Sequence, residues 1–186
     1  PSIVPDIQDL CIHNNSLYLC GNFKVWPNIY DPDGYADFAR YNGSYIESVL
    51  FHYFEVNCFN CYIESFKGDL YMGKNSGTKD TCIGVPVSFQ NGLLKLDTNC
   101  WTFKSIGQWP VTQLNDLMST DSILYIGLNY PSSTFGYFIS GYDGVNYTQV
   151  GGGLNGPVGY IRSFRNKVLA VGLFSGNYAN TVSFTN

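Results

Sequence analysis

Charge is what this sequence has least of. Only 13% of its 186 residues are Asp, Glu, Lys or Arg, and the formal net charge is −4. The ten Lys and Arg are scattered singly, so no basic patch or stripe exists to meet a phosphate backbone, which argues against nucleic acid as a partner. Histidine occurs twice, at His13 and His52, with no Ser, Cys or Asp partner at a recognisable motif spacing and no G-x-S-x-G run. An acid–base or nucleophile constellation is therefore missing, and the expectation is a protein that is not an enzyme. Helix formers are sparse, and Gly or Pro interrupts nearly every window in which a helical period could build. No apolar run approaches the length needed to span a bilayer, so no transmembrane segment is expected in this chain. The first residue is Pro1 and no signal-like segment follows it; we expect a processed protein or a fragment, any targeting peptide lying outside.

Glycine, tyrosine and phenylalanine are abundant, at 20, 15 and 13 residues. Such a composition suits short strands joined by many turns, because aromatic rings pack on pleated surfaces and Gly tolerates turn geometry. One strand motif recurs: LYLCG ending at Gly21, LYMG at Gly73, LYIG at Gly127 and LAVG at Gly172. The four glycines are 52, 54 and 45 residues apart, a period typical of blades or arrays. The expectation is an all-β chain, a single β-propeller domain over 1–186 with about four blades of 45–54 residues. The approximate blades are 6–54, 55–107, 108–150 and 151–186 plus 1–5.

In the first unit a strand Asp6–Ile12 turns at His13–Ser16 into Leu17–Phe23. An aromatic loop, Lys24–Asp37, then leads to a hairpin around Asn42 and Gly43, the strongest short-range hairpin signal. The second unit runs from Tyr62–Phe66 through Lys67–Asp69 into Leu70–Gly73, followed by a polar loop Lys74–Asp80 and strands at Ile83–Phe89, Leu93–Leu96 and Trp101–Ile106. The third turns at Ser119–Ser122 and again at Asp143–Gly144, with a loop at Asn129–Ser133. The fourth has Val158–Phe164, the turn Arg165–Lys167, Val168–Leu173 and Thr181–Phe184. There the chain stops one strand short, and Ser2–Val4 could close the ring by pairing N- and C-terminal strands, which removes exposed edges. The glycine-rich run from Gly151 lacks a G-K-[ST] ending and leads into a strand, so it is not a phosphate loop.

Three motifs stand out together. GGGLNGPV (Gly151–Val158) opens the fourth unit, LYLCGNF (Leu17–Phe23) lies in the first, and YNG (Tyr41–Gly43) and YDG (Tyr142–Gly144) mark hairpin turns in the first and third. Together these resemble the extracellular β-propeller repeats of fungal Rax2-like cell-polarity markers and large protist repeat proteins, whose units run G-x-G-L-N-G-x-V, then L-Y-V-G-G-x-F, then W/Y-D/N-G. Cys20 stands where that pattern has glycine, and the second unit departs most, having cysteines and no Y-D-G. The resemblance implies a propeller used as a scaffold or recognition surface and supplies no catalytic residues.

Six cysteines, Cys11, Cys20, Cys58, Cys61, Cys82 and Cys100, form an even set, and three sequons begin at Asn14, Asn42 and Asn146. With the low charge, they point to an oxidised, glycosylated, extracellular or cell-surface protein. Cys58 and Cys61 make a C-x-x-C, but no second pair completes a zinc set and no βαβ pattern supports redox chemistry; disulfides are the expectation, in an unspecified connectivity among fifteen. A turn at Asn14–Asn15 sets Cys11 opposite Tyr18 and Cys20 opposite Asp9, leaving the two cysteines diagonal at ~7–8 Å, long for a bridge.

Asp31, Asp33 and Asp37 cluster in the first loop and are the place to look for calcium, the sole candidate cofactor, although the spacing is not that of an EF-hand and a solvated turn explains them as well. Tyr18, Tyr71 and Tyr125 recur at one strand position and are expected in the core. Trp26, Tyr30, Tyr35 and Tyr130 are expected in loops, as anchors for a sugar or protein partner or as caps on the blades. The functional expectation is a structural or recognition unit of a surface coat, matrix or filament, engaging protein partners or copies of itself. A carbohydrate-binding or carbohydrate-cleaving propeller, and a structural protein of a large virus, are the alternatives.

Overall fold

The computed structural model describes residues 6–24, 35–49, 61–74, 78–82, 85–89, 92–98, 102–106, 113–132 and 137–177. Among these there is no helix, and the chain is all-β. It forms two compact units, Pro1–Trp109 and Pro110–Asn186.

The first unit holds two four-stranded antiparallel sheets. Sheet 1 has β1 (Asp6–His13), β2 (Ser16–Lys24), β3 (Tyr35–Tyr41) and β4 (Ile46–Ser48) in that spatial order. Sheet 2 is ordered β10-β9-β6-β5, from β5 (Cys61–Phe66), β6 (Asp69–Lys74), β9 (Gly92–Asp97) and β10 (Thr102–Ser105). Between β6 and β9 the chain makes a separate two-stranded sheet, β7 (Thr78–Cys82) with β8 (Val85–Phe89). In the second unit, sheet 3 is β11 (Leu114–Ser119), β12 (Leu124–Ser132), β13 (Tyr137–Tyr142) and β14 (Tyr147–Gln149) in order. Sheet 4 shows two described strands, β15 (Val158–Phe164) and β16 (Lys167–Gly172). Ser2–Val4 and Thr181–Phe184, expected to complete that sheet, lie outside the described residues.

The first hairpin of three sheets turns through two residues with positive φ: Asn14 and Asn15 (47° and 60°), Lys67 and Gly68 (50° and 79°), Arg165 and Asn166 (47° and 61°). Two-residue turns with both φ positive match the right-handed twist of the strands they join, which is why Asn and Gly recur there. Cys11 pairs with Tyr18 and Cys20 with Asp9, the register expected from the sequence.

Two placements differ from expectation. The stretch 74–80 does not run as one polar loop: Thr78 onward pairs with Phe89 and its neighbours in the β7–β8 hairpin, so this unit carries an inserted hairpin rather than a simple fourth strand. Tyr35 and Asp37 in β3, and Tyr130 in β12, lie in strands and not in loops. The β2–β3 ladder resumes past an irregularity, Phe23 pairing with Ala36 and Lys24 with Tyr35. The β12–β13 ladder likewise resumes at Ser132 and Tyr137. Aromatic residues favour such extensions because they fit a pleated surface.

The recurrent glycine also resolves into two positions. β1, β11 and β15 each carry a bulge near the start of the strand, between Ile7 and Asp9, Leu114 and Asp116, and Val158 and Tyr160. Gly21 and Gly172 pair just before the bulge, with Ile7 and Val158, whereas Gly127 and Gly73 sit one place earlier, opposite Asp116 and Tyr62. The two positions need glycine for different reasons. A Cβ on Gly21 would lie 2.0 Å from the Asp6 oxygen of β1, and one on Gly172 2.0 Å from the oxygen of Pro157, the residue just before β15. One on Gly127 would meet the Val158 side chain of sheet 4 at 3.0 Å.

Within the first unit, sheets 1 and 2 share one apolar core in which Cys11, Tyr18 and Phe38 pack with Ile63, Met72 and Phe103. Phe38 stacks on Tyr18 at 5.6 Å and meets Phe103 edge-on at 5.1 Å. In the second unit Met118 and Ile139 of sheet 3 pack on Val158 and Ile161 of sheet 4, with Tyr125 partly buried against them. Tyr18 and Tyr71 are buried and Tyr125 is half-buried, so all three recurrent tyrosines lie in or against the core.

Candidate functional site

The most ordered polar chemistry lies between sheets. β5 and β15 each stand at the edge of their sheet, and an edge strand leaves every second N–H and C=O without a ladder partner. Asp9 on β1 reaches across the core, and its Oδ2 accepts the Ile63 N–H at 2.8 Å. Beside it Gln8 Oε1 accepts the Cys61 N–H at 2.8 Å, and His13 Nδ1 meets Ser65 Oγ at 2.9 Å. Three side chains of one strand thus match positions 61, 63 and 65 of the next sheet. On β5 the period of two presents 61, 63 and 65 to one side, and the bulge between Ile7 and Asp9 lets the neighbours Gln8 and Asp9 both reach it.

The second unit repeats the device. Asp116 Oδ2 accepts the Ile161 N–H at 2.6 Å, and Asn115 Nδ2 donates to the Val158 carbonyl at 2.9 Å. Asp9 and Asp116 occupy the same place, directly after the bulge of the first strand. Each also serves its own chain: Asp9 Oδ1 accepts the Leu10 N–H at 2.9 Å, and the Asp116 carboxylate takes the Leu117 N–H. At the corresponding place sheets 2 and 4 carry Tyr62 and Tyr160, so the aspartate alternates with tyrosine along the chain.

The surroundings set the ionisation of these groups. Burial pushes the Asp116 carboxyl above its ordinary value, against the opposing pull of the Ile161 N–H and the Arg162 guanidinium, whose Nη1 lies 2.5 Å from Oδ2. Burial holds His13 below its ordinary value, with Asp69 acting weakly the other way. Asn14 Nδ2 donates to His13 Nε2 at 3.0 Å, which leaves Nδ1–H to face Ser65. Cys11 is a free thiol, pushed up to about 12 by burial and then by Glu64.

The turns after β3 and β13 form a second repeated device. Asn42 Oδ1 accepts the N–H groups of Ser44 and Tyr45, and Asp143 Oδ1 those of Val145 and Asn146. Tyr41 and Tyr142 each donate from Oη to the glycine carbonyl of the turn, at 2.9 and 2.8 Å. The YNG and YDG motifs are therefore self-contained turns, and their aromatic rings are committed locally.

The three sequon asparagines, Asn14, Asn42 and Asn146, are all exposed on turns. Cys20 and Cys61 are buried in the sheet 1–sheet 2 core, and Cys82 ends β7. Cys58, Cys100, Asp31, Asp33, Trp26, Tyr30 and His52 lie outside the described residues. Of the proposed surface aromatics, Tyr130 is exposed on β12. No group of three His, Cys, Asp or Glu side chains converges on a metal site among the described residues.

Sequence reasoning did not single out a shallow polar cleft of about 490 Å³ in the second unit, between the turn Ser119–Ser122 and the turn Ser163–Val168. Arg165, Lys167 and Asp121 contribute its charge, and Ser and Thr hydroxyls line the rest. It offers hydrogen bonds to a polar ligand, but its lining holds no histidine and only one carboxylate, so it has no acid–base pair. No family model matches the chain, and comparison with curated proteins finds no match.

Proposed function

We propose that the protein is a non-enzymatic extracellular module of propeller-like stacked sheets, serving as a structural or recognition unit of a surface coat, matrix or filament. What supports this reading most is the use made of the polar side chains between sheets. Asp9, Gln8, His13 and Asp116 are consumed in tying one sheet to the edge of the next. Exposed turn positions for Asn14, Asn42 and Asn146 suit glycan attachment, and the cysteines other than the free thiol Cys11 leave disulfides available outside the cell. Intact mass of the secreted protein, before and after deglycosylation and reduction, tests this. Added hexose mass and at least one disulfide are expected; an unglycosylated, fully reduced protein contradicts the extracellular assignment.

The cleft flanked by Arg165 and Lys167 favours a second reading, in which the module binds carbohydrate. A glycan array with a hydrolysis readout separates the two. Retention that is lost in Arg165→Ala supports binding, turnover supports a glycan-cleaving enzyme, and neither leaves the scaffold reading in place.

A further inference from the structure

Charges are few in the second unit, and they are unevenly used. Between Pro110 and Asn186 the chain has three cations, Arg162, Arg165 and Lys167, and three acidic residues, Asp116, Asp121 and Asp143. Arg162 neutralises Asp116 at the junction, and Asp143 caps its own turn through Oδ1. The two remaining cations and Asp121 all line the cleft between the turns of sheets 3 and 4. None of those three forms an ion pair among the described residues. Ser122, Ser163 and Asn166 line the cleft beside them and are exposed, whereas the Thr120 hydroxyl is spent on the Ile123 backbone.

The turn that supplies the cations is a variant of the one in sheet 2. There Phe66 pairs with Asp69 across Lys67 and Gly68, Lys67 lies over the Phe66 ring, and Asp69 meets Lys95 at 2.6 Å. In sheet 4 Phe164 pairs with Lys167 across Arg165 and Asn166, and the Arg165 guanidinium lies over the Phe164 ring, 5.0 Å from its centroid. A second cation thus stands where the other turn has a paired carboxylate. A guanidinium laid over a ring face keeps its N–H donors in its own plane, free to meet an acid group at its edge. Arg165 also holds φ at 47°, a left-handed conformation that Asn14 fills in sheet 1 and that a long side chain adopts at a cost.

We propose, resting on the carbohydrate-binding reading, that the cleft takes an acidic saccharide: a sugar unit bearing a carboxylate or a sulfate. Arg165 and Lys167 receive the acid group, Arg165 through its paired in-plane donors. Asp121 decides between a sugar acid and a bare anion. An ionised carboxylate only accepts hydrogen bonds, so it repels an inorganic anion and holds a neighbouring sugar hydroxyl. Ser122, Ser163 and Asn166 both donate and accept, which suits the remaining hydroxyls. The volume of about 490 Å³ falls within the range of small-ligand sites. Because the cleft is shallow and its charges are exposed, the contact weakens in salt.

Amide shifts of Ser122, Arg165 and Lys167 in the intact chain, followed by NMR, locate and measure the binding. The ligands are an oligogalacturonate, its carboxyl-reduced neutral form, a sulfated oligosaccharide, inorganic sulfate and an oligoglutamate. At least one acidic saccharide should bind about tenfold or more tightly than the neutral form, and which of the two does so identifies the acid group. That gap should narrow as salt rises from about 10 to 150 mM. Arg165→Asn, which suits the same backbone conformation, and Lys167→Gln should each erase the gap. Lys104→Gln, which removes an exposed cation from the first unit, should leave it unchanged. Either cleft variant suffices should the other lose its native amide spectrum. A neutral saccharide bound as tightly at the same amides overturns the proposal and leaves the carbohydrate reading standing. Sulfate or oligoglutamate bound as tightly as the acidic saccharides also overturns it, in favour of a bare-anion or acidic-peptide site. No shift with any saccharide ends the carbohydrate reading itself.

Discussion

The junction between β1 and β5 and the junction between β11 and β15 solve the same problem with different neighbours. Both place an aspartate after a bulge and aim it at the backbone N–H of an isoleucine in the next sheet, Ile63 or Ile161. The residue after that isoleucine is Glu64 in one and Arg162 in the other. Arg162 folds back onto Asp116, so the second junction holds an ion pair whose guanidinium is 64% exposed and whose carboxylate is 5% exposed. The first junction uses neutral partners instead, Gln8 on Cys61 and His13 on Ser65. What the two share is the clamp on a backbone donor; what differs is the charge around it. The shared part, the clamp on the backbone donor, is structural.

The strongest perturbation of this pairing is at the bulge. Gly172→Ala puts a methyl carbon 2.0 Å from the Pro157 oxygen, and a backbone neighbour can move only by shifting β15. We expect a loss of about 2–3 kcal/mol in the second unit, measured by urea unfolding, the range usual for an overpacked site. Gly43→Ala is the control: no atom lies within 4 Å, φ is 99°, and the cost should be about 1 kcal/mol from backbone strain alone.

Removing the clamp comes next. Asp116→Ala leaves the buried Ile161 N–H without its acceptor and should cost about 1–3 kcal/mol. Asp116→Asn keeps an oxygen in place and should cost less. Asp9→Ala should act in the same direction on the first unit, where Ile63 loses its partner. A null result for both alanine variants would mean that the edges are held by the apolar core alone.

These pairings were only partly legible in the chain. The Asn14–Asn15 turn and the alternation of β1 and β2 dictated the register of Cys11 and Tyr18, because a two-residue turn leaves no freedom in what faces what. The repeated Leu-Tyr strand marked Tyr18 and Tyr71 as core for a similar reason. The clamp could not be read in the same way, since Asp9 and Ile63 are 54 residues apart and no local period links them. A signal existed nonetheless: an aspartate at the same offset before the LYLCG and LYIG strands, absent before LYMG. The glycines were misleading because Gly21 and Gly127 look like one recurring residue, yet one avoids a strand backbone and the other avoids a side chain of the next sheet. The β7–β8 hairpin was masked by polar residues at Thr78–Asp80, which read as loop until Val85–Phe89 supplies their ladder.

Burial of His13 and of Asp116 predicts opposite pH responses. His13 is depressed in the folded state, so its contribution is complete above 6.5 and is lost as pH falls through the lower folded value; the first unit weakens on acidification. Asp116 is raised, so the folded state binds a proton more readily than the unfolded chain, and the second unit weakens as pH rises from 3.8 through the raised folded value. Urea midpoints followed between pH 4 and pH 7 (about the window in which ordinary carboxylates and histidines titrate) should show His13→Gln flattening the first trend and Asp116→Asn the second. The smallest effect belongs to Arg162→Ala. Its guanidinium is mostly in water, so the stability change should stay within about 1 kcal/mol and shrink in salt.

Amide hydrogen exchange at Ile63 and Ile161 tests the clamp most directly, because protection at an edge strand N–H requires an acceptor from outside its own sheet. The account predicts that both amides are protected in the wild type. Asp116→Ala should then release Ile161 while Ile63 stays protected, and Asp9→Ala should do the opposite. Rapid exchange of both amides in the wild type, or protection of Ile161 that survives the loss of Asp116, would contradict it.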